Sequence, residues 1–325
     1  MKRLLLLALV ALATGVPLAQ AYYAAQVPGI AQSRADVLPS GPTPTVQVHG
    51  RTATVIWPGV AWPNGDAIPA YAVARIGADA SPAGDGCAGV VSGLSCTESR
   101  LGPGTWRYRV APRAGASWSG TAGTASAAIN VPPSALGLDR AIVGGALPQT
   151  LSGTLTGFDV GEPITWHIDD PTAGALLSGT PAAADANGTA AATVALPVSV
   201  PDGSHRIYAV GTGPNASQAV ANVLVDTAPP VTTDSSASIG SAWRTAATVA
   251  LTPSDAGSGV AATYWTSDGT TPTTSATSGT SVPLQGDGIY TVRYFSVDNA
   301  GNREAVRATA TPIRIDATPP TVSAP

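Results

Sequence analysis

Apolar and polar residues alternate along this chain in short runs, a period that belongs to half-buried strands. In the first third the runs are Thr45–His49, Thr52–Trp57, Ala70–Ile76, Thr105–Ala111 and Thr124–Val131, with Pro63, Asn64, Gly65 and Asp66 marking a turn. The period of two puts Val55 with Trp57 on one face, Tyr71 with Val73, and Trp106 with Tyr108 and Val110. Similar alternation continues through Gly161–Asp169, Pro201–Gly211 and Asp287–Val297. No run has the length or the 3.6-residue period of a long helix, so the pattern predicts an all-β chain.

Punctuation divides the alternation. The segment Val225–Val231 contains Asp226, Pro229 and Pro230, and it recurs as Ile315–Val322 with Asp316, Pro319 and Pro320, an offset of 90 residues. A looser copy is Val131, Pro132 and Pro133. Paired prolines lack amide donors and force extension, so they end a sheet and stiffen the link to the next. The units expected are residues 43–131, 135–225 and 229–316, each the size of an immunoglobulin-type sandwich. A linker is expected over 22–42, and residues 317–325 read as a linker or the start of a further module. Stiff links are expected to join independently folding units with small contacts between them.

Composition agrees with strands and turns. The chain has 325 residues with 36 Gly, 29 Pro and 11% charged residues, and its glutamates are Glu98, Glu162 and Glu304. Lys2, Arg3, the apolar run Leu4–Ala13 and the small residues Ala19 and Ala21 form a secretory signal with cleavage expected before Tyr22. Cleavage takes the formal net charge from −4 to −6. Such a chain offers no basic stripe for nucleic acid and no polybasic anchor, and no second long apolar segment predicts membrane insertion after the signal is removed. In an exported chain the pair Cys87 and Cys96 reads as a disulfide.

The search for chemistry is mostly negative. The sequence lacks Gly-x-Ser-x-Gly, His-Glu-x-x-His and the phosphate-loop and dinucleotide glycine patterns, so no catalytic residue is assigned. Asp159, Glu162, Asp169 and Asp170 have glycosidase-like residue types, but neighbouring strand residues face opposite ways, and these acids are expected in solvated loops. No cofactor is assigned. Calcium is the alternative, through Asp255, Asp298, Asn299 and Asn302, although the spacing is not that of an EF-hand loop. Trp62, Trp118, Trp243 and Trp265 are the candidate ligand-contact aromatics.

Three stretches carry resemblances. Thr52–Trp57, Gly65–Val73 and Leu101–Val110 resemble a fibronectin type III domain, which implies a seven-stranded sandwich with Trp57 as core tryptophan on the second strand and Tyr108 as the tyrosine of the sixth. Tyr108 stands one residue later than the family spacing, which implies a bulge or register change. Gly161–Asp169, Asp185–Thr189 and Pro201–Gly211 resemble a bacterial immunoglobulin-like repeat, as do Asp255–Val260, Tyr264–Gly269, Asp287–Val297 and Asp298–Asn302. The set is similar to actinobacterial exported surface proteins. The expectation is therefore a tandem of immunoglobulin-like and fibronectin type III β-sandwiches after a cleaved signal peptide, secreted or at the cell surface, monomeric and non-catalytic. It would act as spacer, adhesive or presenting module toward a cell-wall or extracellular polysaccharide or another surface protein. The alternative is the carbohydrate-binding or spacer region of a secreted glycan-degrading enzyme whose catalytic domain lies outside this chain.

Overall fold

The computed structural model describes residues 37–77, 82–115, 118–180, 183–213 and 215–321. The expected signal peptide at 1–21 lies outside the described residues, as do most of the expected linker and residues 322–325. No helix among the described residues is long and apolar enough to cross a membrane.

Three separate clusters of buried apolar side chains organise the chain into β-sandwiches in series. In the first sandwich the strands are β1 (Thr45–His49), β2 (Thr52–Ile56), β3 (Ala70–Ile76), β4 (Ser95–Glu98), β5 (Gly104–Ala114), β6 (Trp118–Ser119) and β7 (Ile129–Val131). One sheet has the order β1-β2-β4; in the other, β5 pairs with β3, β6 and β7. Val55, Trp57, Tyr71, Trp106, Tyr108 and Val110 form the core between them, the inward face that the two-residue period marks. The β3/β5 ladder runs from Ala70 opposite Arg113 to Ile76 opposite Arg107 without interruption, so the late position of Tyr108 produces no register change in this ladder. The strand expected at Thr124–Val131 shortens to Ile129–Val131. Before it, the Gly123 and Ser126 amides bond to the Val110 and Tyr108 carbonyls outside any named strand.

A buried carboxylate holds this core together. Glu98 accepts hydrogen bonds from Arg75 at 2.7 Å, the Gly84 amide at 2.6 Å and the Tyr108 hydroxyl at 2.7 Å. Burial, then the hydrogen bond to Glu98, pushes the Tyr108 phenol far above its usual range. Cys87 and Cys96 are bonded to each other, with Cα atoms 5.0 Å apart, and Cys87 is fully buried. Closing so short a loop stabilises the folded state by about 2–3 kcal/mol on the chain-entropy model.

The second sandwich contains β8 (Ala135–Leu138), β9 (Ile142–Gly144), β10 (Gln149–Thr156), β11 (Ile164–Ile168), β12 (Gly179–Thr180), β13 (Ala190–Leu196), β14 (Gly203–Gly211) and β15 (Gln218–Asp226). Its sheets have the orders β12-β13-β10-β8 and β11-β14-β15-β9, and β9 lies parallel to β15. Trp166, Phe158, Leu151 and Ile207 fill the space between them. The third contains β16 (Val231–Asp234), β17 (Ala247–Ser254), β18 (Val260–Thr266), β19 (Thr277–Ser278), β20 (Ser281–Leu284), β21 (Gly288–Tyr290), β22 (Arg293–Asp298), β23 (Arg307–Ala308) and β24 (Ile313–Ile315). Its sheets are β16-β17-β20, β19-β18-β22-β23 and the pair β21-β24. Here Val249, Leu284, Tyr294 and Ile313 form the apolar core. Beside it lies a buried polar cluster in which Glu304 accepts from the Thr232 amide and hydroxyl and the Ser296 amide.

Candidate functional site

The residues that could do more than fill a core gather where the sandwiches meet. At the first junction the turn between β1 and β2 presents Gly50 and Arg51 to the second sandwich. Arg51 is buried, and its guanidinium donates to the carbonyls of Leu101 at 2.7 Å, Arg100 at 3.3 Å and Asn215 at 3.0 Å, and to the Ser217 hydroxyl at 2.7 Å. Asp159, from the second sandwich, accepts from the Thr52 hydroxyl at 2.5 Å and the Arg100 amide at 3.1 Å. Glu162 accepts from the Asp159 and Ser217 amides. The Arg100 guanidinium lies 3.9 Å from the Asp159 carboxylate. Backbones touch here as well: a Cβ at Gly50 or Gly188 would stand 2.3 or 2.1 Å from the same Phe158 carbonyl oxygen, and both glycines have positive φ.

These contacts correct the reading of Asp159 and Glu162 as solvated loop acids, since they are 5% and 4% exposed. Polar bonds, several of them buried, span the junction. Asp169 and Asp170 are exposed turn residues. Asp170 accepts from the Thr172 and Ala173 amides, which hold its carboxyl below the ordinary range. Asp169 pairs with His205 at 2.9 Å, while the other ring nitrogen of His205 meets the Pro201 carbonyl.

The second junction is built from acids and an asparagine. Asp226, at the end of β15, accepts from the Ser258 amide at 2.6 Å. Asn302 donates to the Asp226 carbonyl at 2.7 Å and to the Asp298 carboxylate at 2.8 Å, and accepts from the Gly145 amide at 2.6 Å. A Cβ at Gly144 would lie 2.1 Å from the Ala300 carbonyl oxygen, so glycine permits this approach. Asp226, Asp255 and Asp298 each offer a carboxylate oxygen within 4.8 Å of the others. Asp226 and Asp298 are buried. Beside them opens a cleft of about 770 Å³, lined in part by Asp202, Ser204, Asp226, Val231, Ser254 and Asp255.

Of the four oxygen donors named for calcium, the structure brings Asp255 and Asp298 together and adds Asp226 from the preceding sandwich. The Asn299 amide is turned to the Ser258 and Gly259 carbonyls, and the Asn302 oxygen is taken by Gly145. The carboxylates already accept backbone amides: Asp255 from Gly257 and Gly259, and Asp298 from Asn302. The four tryptophans stay apart from this cluster. Trp62 and Trp118 are half-buried against the first core and Trp265 against the third. Trp243 is 56% exposed, with the Arg314 guanidinium 5.9 Å from its ring centre.

No protein-family model and no curated protein matches the chain. Among solved structures it is similar to the fibronectin(III)-like modules of Clostridium thermocellum CbhA, at 13% identity over 55% of this chain and 93% of that one, with a TM-score of 0.31. It is also similar to FdeC, an Escherichia coli adhesin, at 18% identity over 84% of this chain and 96% of that one, with a TM-score of 0.32. A third is a tetra-tandem repeat from the extending region of a large adhesion protein, at 18% identity over 85% and 74%, with a TM-score of 0.27. These are low likenesses between chains of β-sandwich modules, and they concern fold alone.

Proposed function

We propose that the chain is a non-catalytic exported module, a jointed rod of β-sandwiches that holds a partner away from the cell surface or presents an adhesive face to it. The observation that carries this reading is the set of buried hydrogen bonds across both junctions, Arg51 with Asn215 and Ser217 at one and Asn302 with Asp226 and Gly145 at the other. Buried polar bonds are directional and costly to leave unmade, so they define the angle between neighbours rather than merely tethering them. A device for holding distance needs such fixed angles. An enzyme cleft instead needs converging groups left free for substrate, and here the clustered carboxylates are committed to backbone amides and to neighbouring side chains.

Small-angle scattering of the chain lacking residues 1–21 tests the proposal. The expected result is a scattering profile of three bodies in a line, unchanged in maximum dimension between low and moderate salt. A compact profile with all three bodies around one centre would overturn it. Turnover of ester, peptide or glycoside substrates above that of heat-denatured protein would overturn the non-catalytic part.

A further inference from the structure

The rod's charge is unevenly shared. Residues 43–131 hold six arginines against four acids, whereas residues 135–225 hold two arginines against seven acids and residues 229–316 five against seven. The first sandwich is thus a cationic body at the head of an acidic chain. Within it, Arg51, Arg75 and Arg100 are used internally or at the junction, and Arg113 is half-buried beside Ser119.

Arg107 and Arg109 differ. They alternate with buried Trp106, Tyr108 and Val110 on β5, so both project from the outer face of the β3/β5 sheet, and both are exposed. Alternate residues of a strand lie ~6.7 Å apart, so the two guanidiniums form a short row along it. Neither has a hydrogen-bond or carboxylate partner among the described residues. Their cross-strand neighbours on β3 are Ile76 and Ala74, and the segment on the other flank, residues 121–130, has no charged residue. Among the described residues, nothing of opposite sign is placed beside this pair. The result is a sheet face with two exposed, unpaired arginines set beside Ala74 and Ile76.

From this face we propose that the first sandwich binds an anionic polysaccharide, its carboxylates taken by Arg107 and Arg109. The proposal rests on the reading of the chain as a presenting or adhesive module and names what its head holds. A planar guanidinium receives a carboxylate through two parallel N–H bonds, and a row of them reads a repeating anionic polymer. The same face is poorly suited to other polyanions. Single-stranded nucleic acid is held on sheets by exposed aromatic rings, whereas the aromatic residues of β5, Trp106 and Tyr108, are buried in the core. A membrane surface asks for an exposed apolar face beside the cations, and here the one large apolar neighbour is Ile76, 40% exposed.

The test uses the chain lacking residues 1–21 and immobilised polygalacturonate, with neutral dextran, duplex DNA and phosphatidylglycerol vesicles as comparisons. Wild type is expected to bind polygalacturonate at low salt, to release it as salt rises, and to ignore dextran. Arg107→Gln with Arg109→Gln should weaken binding about tenfold or more, while Arg140→Gln, an exposed arginine of the second sandwich, should not. Should the double variant melt early, Ala74→Glu supplies the second arm: it keeps both arginines, sets a carboxylate opposite Arg109, and should weaken binding as much. Retained binding in both variants, no binding by wild type, or equal capture of DNA or vesicles through the same arginines would overturn the proposal. Scattering on the same samples separates its failure from that of the rod, since loss of this face leaves the three bodies in line.

Discussion

The two junctions solve one problem with opposite charge. At the first, a buried cation, Arg51, lies close to two buried acids, Asp159 and Glu162, linked through Thr52, Ser217 and shared amides. At the second, two buried acids, Asp226 and Asp298, and the half-buried Asp255 face one another with amide donors and no cationic side chain paired to them among the described residues. Desolvating a charge is costly unless its field is met by an opposite charge or by aimed dipoles. The first junction uses both means and the second only dipoles. The first should therefore be the more fragile to deletion of a single partner, and the second the more responsive to a change of net charge.

The largest effect is expected from Arg51→Met. It removes the donor to the Leu101 and Asn215 carbonyls and to the Ser217 hydroxyl, with Arg100 left as the cation beside Asp159, a loss of about 3 kcal/mol. Denaturant titration measures this, and proteolysis near residues 132–134 should accelerate; an unchanged midpoint and cleavage rate would remove Arg51 from the junction. Asn302→Ala is expected to cost about 2 kcal/mol, because it removes hydrogen bonds to Asp226, Asp298 and Gly145 at once. Its signature is faster cleavage between residues 227 and 230, with the first linker unaffected.

Asp255→Asn sharpens the contrast by reversing the sign. The amide oxygen still accepts from Gly257 and Gly259, and one of three like charges is gone, so stability should rise by about 1 kcal/mol in chelator-treated buffer. A fall instead, appearing only when calcium is added, would show that the cluster works as a cation site. The smallest effect is general. Bonds from the Thr189 and Asn187 amides hold Asp185 below the ordinary carboxylate range, and the Thr270 hydroxyl and amide do the same for Asp268. Groups with depressed folded values contribute fully above the unfolded pKa near 4 and lose that contribution as pH falls through the lower folded value. Thermal scans should thus be flat through neutrality and decline at acid pH; a decline on the alkaline side alone would contradict this.

Much of the fold was legible because one strand's burial is written in its own alternation. Trp57, Tyr71, Trp106 and Tyr108 fall on inward faces that a period of two identifies, and the pair Cys87 and Cys96 lies close enough in sequence to be joined. The Thr124–Val131 run misled because its Ala and Ser residues carry no large side chain to mark a face, and only Ile129–Val131 pairs regularly. The junctions were not legible for a different reason: Asp159 is held by Thr52 and Arg100 of the neighbouring sandwich, about 60 residues or more away, which no local period records. One signal was available. Asp226 closes β15 and recurs as Asp316, the residue after β24, each ahead of paired prolines, and an acid repeated at a boundary points to the boundary's contacts.

The parallel pairing of β9 with β15 has a mechanical consequence. Pulled by its two ends, the second sandwich has β9 drawn one way and β15 the other once β8 has given way. The pairs Ile142–Leu224, Val143–Val225 and Gly144–Asp226 then bear the load together, in shear, whereas a hairpin pulled from one end opens bond by bond. In the third sandwich the corresponding place holds one bridge, Arg244 to Ile315. A chain of this build should therefore lengthen in steps under tension, the third sandwich yielding at lower force than the second, an ordering that single-molecule stretching would read directly.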